Sequence, residues 1–251
     1  MLLKDRATIV TGGAQGMGRL FAHRFAEEGA KVVVADINGE GASRVAEEIR
    51  RKGGDARAVR TDVTLEEDTK GMAEACASAY GRVDVLVNNA ALYYGLKYTP
   101  FEEIAGEEWD RVMAVNVKGI WLCSKAVTPF MKKQGNGKII NMASGAPLKG
   151  NPGLLHYNAS KAAVIGLTRS LARELGKYGI NVNAVAPGFT MTEASILLAG
   201  EDRIKQALAG RALQRDEEPE DVVGTIVFLA SNQSDFITGQ TLAVNGGDLF
   251  L

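Results

Sequence analysis

Apolar, β-branched runs alternate with longer amphipathic stretches along the whole chain. The runs are Ala7–Val10, Lys31–Ala35, Ala56–Thr61, Val83–Val87, Lys138–Met142, Asn181–Val185 and Thr241–Val244. They are short and continuous, a pattern that predicts strands buried on both faces. Helical spacing of apolar positions covers about Met17–Glu28, Gly39–Arg51, Leu65–Tyr80, Glu107–Gln134, Tyr157–Tyr178 and Pro219–Ala230. Thr64 with Glu67 fits a capping box at the third helix. Pro219, followed by Glu220 and Asp221, fits a first helical turn. The alternation predicts an α/β fold, a parallel sheet with helices on both faces. No linker or fixed repeat interrupts it, so a single domain over residues 1–251 is expected. The segment Thr190–Arg211, rich in Leu, Ile and Ala, breaks the alternation after the sixth strand. It predicts short helices that form a lid, because open α/β sheets bind ligands beyond the carboxyl ends of their strands.

Composition narrows the class. Hydrophobic residues make 46 % and charged residues 24 % of the 251, ordinary for a globular chain. The 29 Lys and Arg against 30 Asp and Glu argue against a nucleic-acid binder. No run reaches the roughly 18 apolar residues of a membrane span, and Lys4, Asp5 and Arg6 leave no room for a secretory signal. Two cysteines and two histidines make neither a disulfide framework nor a zinc site. A soluble, cytoplasmic, metal-free protein is the expectation. The 29 glycines exceed the usual share of about 7 %. They suit tight connections, or a backbone that approaches a ligand closely.

One glycine cluster falls directly after the first strand. In Thr11-Gly12-Gly13-Ala14-Gln15-Gly16-Met17-Gly18 a helix pattern starts inside the turn. Such glycines let backbone approach a pyrophosphate, with the helix N-terminus facing its charge. The spacing differs from the common G-x-G-x-x-G, and a tight turn alone also needs glycine. Asp36 adds a second signal. It ends the second strand, 18 residues past Gly18, where an acidic residue binds the adenosine ribose hydroxyls and repels a ribose 2′-phosphate. No Arg or Lys occupies positions 13–17 or 37–41. NAD is therefore expected over NADP.

With the residues that follow, these pieces resemble the short-chain dehydrogenase/reductase family over essentially the whole chain. Thr11–Gly18 resembles its cofactor turn, and Asp62-Val63 the pair that holds the adenine. Asn88-Asn89-Ala90-Ala91 resembles the motif ending the fourth strand. Asn116 stands at the family's catalytic asparagine and Ser144 follows the fifth strand. Tyr157-Asn158-Ala159-Ser160-Lys161 resembles the Tyr-x-x-x-Lys signature, 13 residues after Ser144. Pro187-Gly188, with Thr190 and Thr192, resembles the segment that holds the nicotinamide carboxamide. A lone Tyr-x-x-x-Lys is weak; the ordered set is specific. The resemblance implies a Rossmann-type doubly wound sheet of seven strands in the order 3-2-1-4-5-6-7. It implies Asn116, Ser144, Tyr157 and Lys161 as the catalytic residues. The implied cofactor contacts are Gly12, Gln15, Gly16, Met17, Gly18, Asp36, Ile37, Asp62, Val63, Asn89 and Ala90, joined by Tyr157, Lys161, Pro187, Gly188, Thr190 and Thr192. It also implies a homotetramer, for which the apolar terminal run Leu242–Leu251 is a candidate contact. The departures are Ala91 for a frequent glycine, Ala143 for a serine, Thr190 for an apolar residue and Asn245 for an aspartate.

The chemistry explains the residue types. Tyr157 and Lys161 stand four apart on one predicted helix and share a face. A tyrosine with a pKa of about 10 is a poor base near neutrality. A neighbouring ammonium favours its phenolate, so Lys161 is placed to lower the Tyr157 pKa. Tyr157 then takes the proton of a substrate hydroxyl as hydride leaves for the cofactor, while Ser144 orients the oxygen. In the family Asn116 holds a water that links Lys161 to solvent.

The substrate side carries less information. Tyr93, Ala146, Leu154, Phe189, Met191 and Ile196 are the candidate walls of a mostly apolar pocket. Lys149 is the one nearby base in the sequence. A secondary alcohol or ketone of small to medium size is the first expectation. An NADPH-dependent 3-oxoacyl-thioester reductase is the alternative, since such reductases resemble the pattern but want basic residues at the cofactor turn. A non-catalytic dinucleotide-binding protein is the third reading.

Overall fold

The seven apolar runs become the strands of one parallel sheet, ordered β3-β2-β1-β4-β5-β6-β7, in a computed structural model that describes residues 1–250. The strands are β1 (Ala7–Thr11), β2 (Lys31–Asp36), β3 (Asp55–Arg60), β4 (Val85–Asn88), β5 (Gly137–Met142), β6 (Ile180–Pro187) and β7 (Thr241–Val244). The helices are α1 (Gly16–Glu27), α2 (Gly39–Arg51), α3 (Glu66–Tyr80), α4 (Gly106–Met113), α5 (Gly119–Gln134), α6 (Ala146–Lys149), α7 (Leu155–Leu175), α8 (Glu193–Ala209) and α9 (Pro219–Ala230). The result is a single Rossmann-like domain, as the order of motifs implies.

The continuous apolar runs follow from two cores on one sheet. Val32 and Val34 of β2 face Phe21 and Phe25 of α1, Ile49 of α2 and Ile226 of α9. Their neighbours Val33 and Ala35 face the opposite core, with Met72 of α3, Val127 and Met131 of α5 and Leu175 of α7. Alternate side chains leave a strand on opposite faces, so a strand covered on both sides has no polar position to spare. Fully burying Phe21 or Phe25 contributes about 1.5–3 kcal/mol each. The edge strands β3 and β7 are the least buried, and β3 accordingly carries Asp55, Arg57 and Arg60.

Several polar groups in the sheet are paired, although Asn88 Oδ1 and Thr241 Oγ1 are buried without a partner. Asp84 accepts the Ala7 amide at 2.9 Å and both Arg82 bonds at 2.6 Å. Asn88 donates to Ser124 at 3.2 Å and to Asn141 at 2.8 Å, and Asn141 donates to Thr168 at 2.9 Å. That chain ties β4 and β5 to α5 and α7 at the end of the sheet where ligands bind.

Several local expectations change. The capping box of Thr64 and Glu67 does not form. The Thr64 hydroxyl and amide both bond Asp62 Oδ1, at 2.7 and 2.9 Å, a charge-assisted competitor, and Leu65 takes the N-cap position. The reciprocal capping bonds occur at α9, between Glu218 and Asp221. The predicted helix 107–134 is continuous in direction but carries one π turn, Ala114–Lys118, between α4 and α5. Its extra residue per turn falls at Asn116, and such bulges frequently mark functional sites. The segment expected as a lid is helical but broken at Gly200, where φ is 67° and ψ is 169°. The short α6 was not legible from the periodicity. Of the terminal run, Leu251 lies outside the described residues.

Candidate active site

The order of strands reverses between β1 and β4, which opens a crevice at their carboxyl ends. The first turn is strapped across it. Asn89 Nδ2 donates to the carbonyls of Thr11 and Gly12 at 3.0 and 3.1 Å. The Thr11 hydroxyl accepts the amides of Asn89 and Ala90, both at 3.1 Å. A Cβ on Gly18 would stand 2.0 Å from the Gly12 carbonyl oxygen, so α1 approaches the turn as only glycine permits. Gly16, with φ of 53°, would meet nothing with its Cβ. The backbone at the start of α1 is thus bare toward the crevice, and the Gln15 side chain does not cap it. Free amides at a helix N-terminus suit a pyrophosphate. The residues present fit a dinucleotide.

A groove of about 650 Å³ runs from this turn. It is lined by Gly12, Gln15, Gly16, Met17 and Gly18, then by Asp36, Ile37, Asp62 and Val63, and by Asn89 and Ala90. Asp36 is held in place. Its Oδ2 accepts the Ala14 amide at 3.0 Å and its Oδ1 the Asn38 amide at 2.9 Å. Arg60 is paired in register with Asp36, but its guanidinium reaches Asp68 at 3.4 Å. Arg111 of α4 is the one basic side chain among the described lining residues.

The groove opens into a second cavity of about 280 Å³, and Met17, Asn89, Tyr93 and Thr192 line both. Ser144, Tyr157 and Lys161 meet in this cavity. The turn after β5 fixes Ser144, whose Oγ accepts the Ala146 amide at 3.1 Å. Lys161 is 3 % exposed and donates to the Met142 carbonyl at 2.6 Å. Its Nζ stands 5.8 Å from the centre of the Tyr157 ring. Burial pulls the Lys161 ammonium down to about 8. Burial also pushes the Tyr157 phenol above its ordinary value, with the Tyr93 phenol adding to the rise and a bond from Ser144 opposing it. In the protein alone, desolvation and not Lys161 governs the Tyr157 phenol.

Asn116 stands behind the site. It is fully buried, accepts the Leu92 amide at 2.7 Å, and donates to Leu92 O at 3.3 Å and Ser160 Oγ at 3.1 Å. Both its amide hydrogens are used, so the side chain locks the β4 loop to α7. Pro187, Gly188 and Thr190 line the cavity, but the Thr190 hydroxyl donates to Glu217 at 2.8 Å. Glu217 also accepts the Gly188 amide at 3.2 Å, while Arg211 donates to the Phe189 carbonyl. Thr190, Arg211 and Glu217 are all buried and tie the two ends of the lid together. Burial raises the Glu217 pKa, against the Thr190 bond and the Arg211 charge.

The substrate candidates divide. Tyr93, Ala146 and Phe189 line the cavity, and the Tyr93 and Tyr157 rings lie 5.0 Å apart. Leu154 packs instead with Leu96 and Val112. Met191 and Ile196 are outside the lining, and Ile196 is exposed. Apolar identity could not distinguish packing from lining. Tyr98, Arg203 and Gln206 line the cavity and were missed, because only the folded lid brings positions near 200 over those near 95. His156, beside Tyr157 in sequence, is buried and bonded to Glu108 at 2.9 Å. A larger groove at the opposite end of the sheet holds the pairs Arg82 with Asp84 and Lys138 with Asp235. Among the described residues no helix is long and apolar enough to cross a membrane, and no group of three metal-ligating side chains occurs.

Residues 12–248 match a family described as enoyl-(acyl carrier protein) reductase. The chain is 42 % identical over 244 residues to 3-oxoacyl-[acyl-carrier-protein] reductase FabG of Staphylococcus epidermidis, covering 97 % of this chain and 98 % of that one. It is 38 % identical over 247 residues to (2S)-[(R)-hydroxy(phenyl)methyl]succinyl-CoA dehydrogenase subunit BbsD of Thauera aromatica, covering 98 % of each. A crystal structure of 3-ketoacyl-(acyl-carrier-protein) reductase from Brucella melitensis complexed with NADH is similar with a TM-score of 0.90 at 37 % identity. That match covers 98 % of this chain and 99 % of that one.

The low pKa of Lys161 has a consequence for stability. Between about 8 and its ordinary 10.5, the unfolded chain binds a proton at Lys161 that the folded chain lacks. Stability therefore rises with pH through that window. Above the ordinary tyrosine value of 10.0 the raised Tyr157 acts in the opposite sense. Urea unfolding at pH 7, 8, 9 and 10, without added cofactor, is expected to show a flatter pH slope for Lys161→Met than for the parent. Equal slopes would remove burial of the ammonium as the cause.

Proposed function

The chain belongs to the short-chain dehydrogenase/reductase family, and on that premise we propose that it interconverts 3-hydroxyacyl and 3-oxoacyl thioesters with NAD(H). The observation that carries the reaction class is the meeting of Ser144, Tyr157 and Lys161 where the groove joins the cavity. The thioester part is supported by the two relatives named for acyl-carrier-protein and CoA substrates. It therefore moves ahead of the broader secondary-alcohol reading. The NAD(H) part is supported by Asp36 and by the NADH complex of the Brucella melitensis relative.

The chain's own groups account for the proton. Ser144 donates to the substrate oxygen and holds it beside Tyr157. The Tyr157 phenolate takes the hydroxyl proton in oxidation, and the phenol returns it in reduction. A bound nicotinamide dinucleotide supplies the hydride acceptor, or in its reduced form the donor. Lys161, fixed through Met142 O, presents its remaining N–H groups to the nicotinamide ribose. Its charge favours the phenolate whenever the ammonium is retained. Asn116 acts by position, through Leu92 and Ser160. Asp36 accepts from the ribose hydroxyls and opposes a 2′-phosphate. Gly12, Gly16 and Gly18 shape the pyrophosphate site. Pro187, Gly188, Thr190 and Thr192 form the wall for the nicotinamide. We place the enzyme in the cytoplasm as a homotetramer, with the edge strand β7 in a subunit contact.

Three outcomes test this reading. NADH is expected to bind more tightly than NADPH in fluorescence titrations, and Asp36→Ala to narrow the gap by about tenfold; tighter NADPH binding would overturn the cofactor assignment. Tyr157→Phe is expected to lower kcat on a 3-oxoacyl thioester by about 10²–10⁴-fold while NADH still binds; near-normal turnover would remove Tyr157 as proton carrier. Light scattering is expected to give four copies of the chain, and a stable monomer at micromolar concentration would sink the tetramer.

A further inference from the structure

Three cations line the catalytic cavity, and two of them are engaged. Lys149 is bonded to Asp248 at 2.7 and 2.8 Å. Lys161 belongs to the catalytic group. The third, Arg203, comes from the part of α8 beyond the Gly200 break. Its guanidinium carbon lies 3.6 Å from the centre of the Tyr98 ring. It makes no salt bridge or hydrogen bond among the described residues, although Lys205, on the same helix, pairs with Glu201 at 3.8 Å.

A guanidinium lying against a ring is fixed in orientation while the N–H groups around its edge stay available. The platform is itself held. Tyr98 packs against the cluster of Leu96, Val112 and Leu154, and a Cβ on Gly153 would stand 2.9 Å from the Tyr98 ring. Tyr93 and Phe189 supply apolar wall to the same cavity. Near apolar walls an unpaired cation attracts an anion more strongly than in water. Five donors in a planar fork match the oxygens of a carboxylate or phosphate. Asp248, the acid in the described lining of this cavity, does not compete, because it is committed to Lys149.

We propose that Arg203 is a specificity-determining residue that reads an anionic oxygen group on the substrate, either a carboxylate on the acyl chain or the phosphate of a pantetheine arm. This rests on the reading of the cavity as the substrate site. It corrects the expectation that Lys149 is the only base nearby. The substrates favoured by the enzyme are accordingly acyl compounds that carry such a group, rather than neutral ketones of the same length.

Two matched pairs of ligands separate the sources. NADH-loaded protein is titrated by thermal shift with 3-oxoadipate against its dimethyl ester, and with pantetheine 4′-phosphate against pantetheine. Parent protein is expected to prefer the anion in at least one pair by about ten- to hundredfold, the worth of a hydrogen bond to a charged group. A preference within the first pair assigns the carboxylate, and within the second the phosphate. Arg203→Gln is expected to abolish that preference, and Arg203→Lys to restore part of it. No preference in either pair, or one that survives Arg203→Gln, overturns the assignment. Kinetics with thioesters keep the two readings apart. If 3-oxoacyl thioesters are reduced, Arg203→Gln is expected to raise KM for the anionic substrate more than for the neutral one, with a smaller change in kcat; an equal loss on both makes Arg203 merely structural and overturns the inference. If no thioester is reduced, the proposed reaction falls, and the binding pairs still decide the role of Arg203.

Discussion

Asn89 holds the carbonyls of Thr11 and Gly12 from the neighbouring strand end, and Thr11 returns the contact to the Asn89 and Ala90 amides. This reciprocal strap fixes the first turn at the point where the strand order reverses. Both cavities depend on it. The groove runs along one side of the strap, and the catalytic cavity begins on the other, with Asn89 in both linings. The strap works only because glycine allows α1 to sit against the Gly12 carbonyl. Any larger residue at position 18 would push the helix, and with it the bare amides, away from the groove.

The site is built from groups that burial makes costly. Lys161 and Tyr157 are both shifted toward their neutral forms by desolvation. Neutral phenol and a weakened ammonium make an indifferent base in the protein alone. The same enclosure strengthens any charge that enters beside them. An oxidised nicotinamide ring bound beside Tyr157 would supply a positive charge that favours its phenolate. The polar chain through Asn88, Asn141 and Thr168, and the Asn116 lock on Leu92 and Ser160, keep α7 in register while this happens. Here buried polar groups act through geometry; none of them need touch the reacting atoms.

The lid is organised differently. Its two ends are tied by a buried cluster of Thr190, Arg211 and Glu217, but its middle is broken at Gly200. The anchored ends include Thr190 of the cavity wall, and the piece beyond the break carries Arg203 over Tyr98. The proposed cofactor and substrate contacts thus fall on separate parts of one short insertion. Thr190, a departure from the family pattern, is explained by this cluster: its hydroxyl belongs to Glu217.

The sequence by itself determined the fold class and the ordered set of motifs. Strands covered on both faces must be continuously apolar, and motifs within one turn or one helix, such as Gly12 to Gly18 or Tyr157 to Lys161, are fixed by local geometry. The tertiary structure decided what depends on distant segments meeting. It showed that Thr64 bonds Asp62 and does not cap α3. It placed Leu154 in a core and Ile196 outside the cavity, though both are as apolar as a wall residue. It joined Arg203 to Tyr98 across more than a hundred positions, a contact no periodicity records. It also set the Tyr157 phenol above its ordinary value in the protein alone, because a pKa follows the sum of burial and charge, and burial is a property of the whole fold.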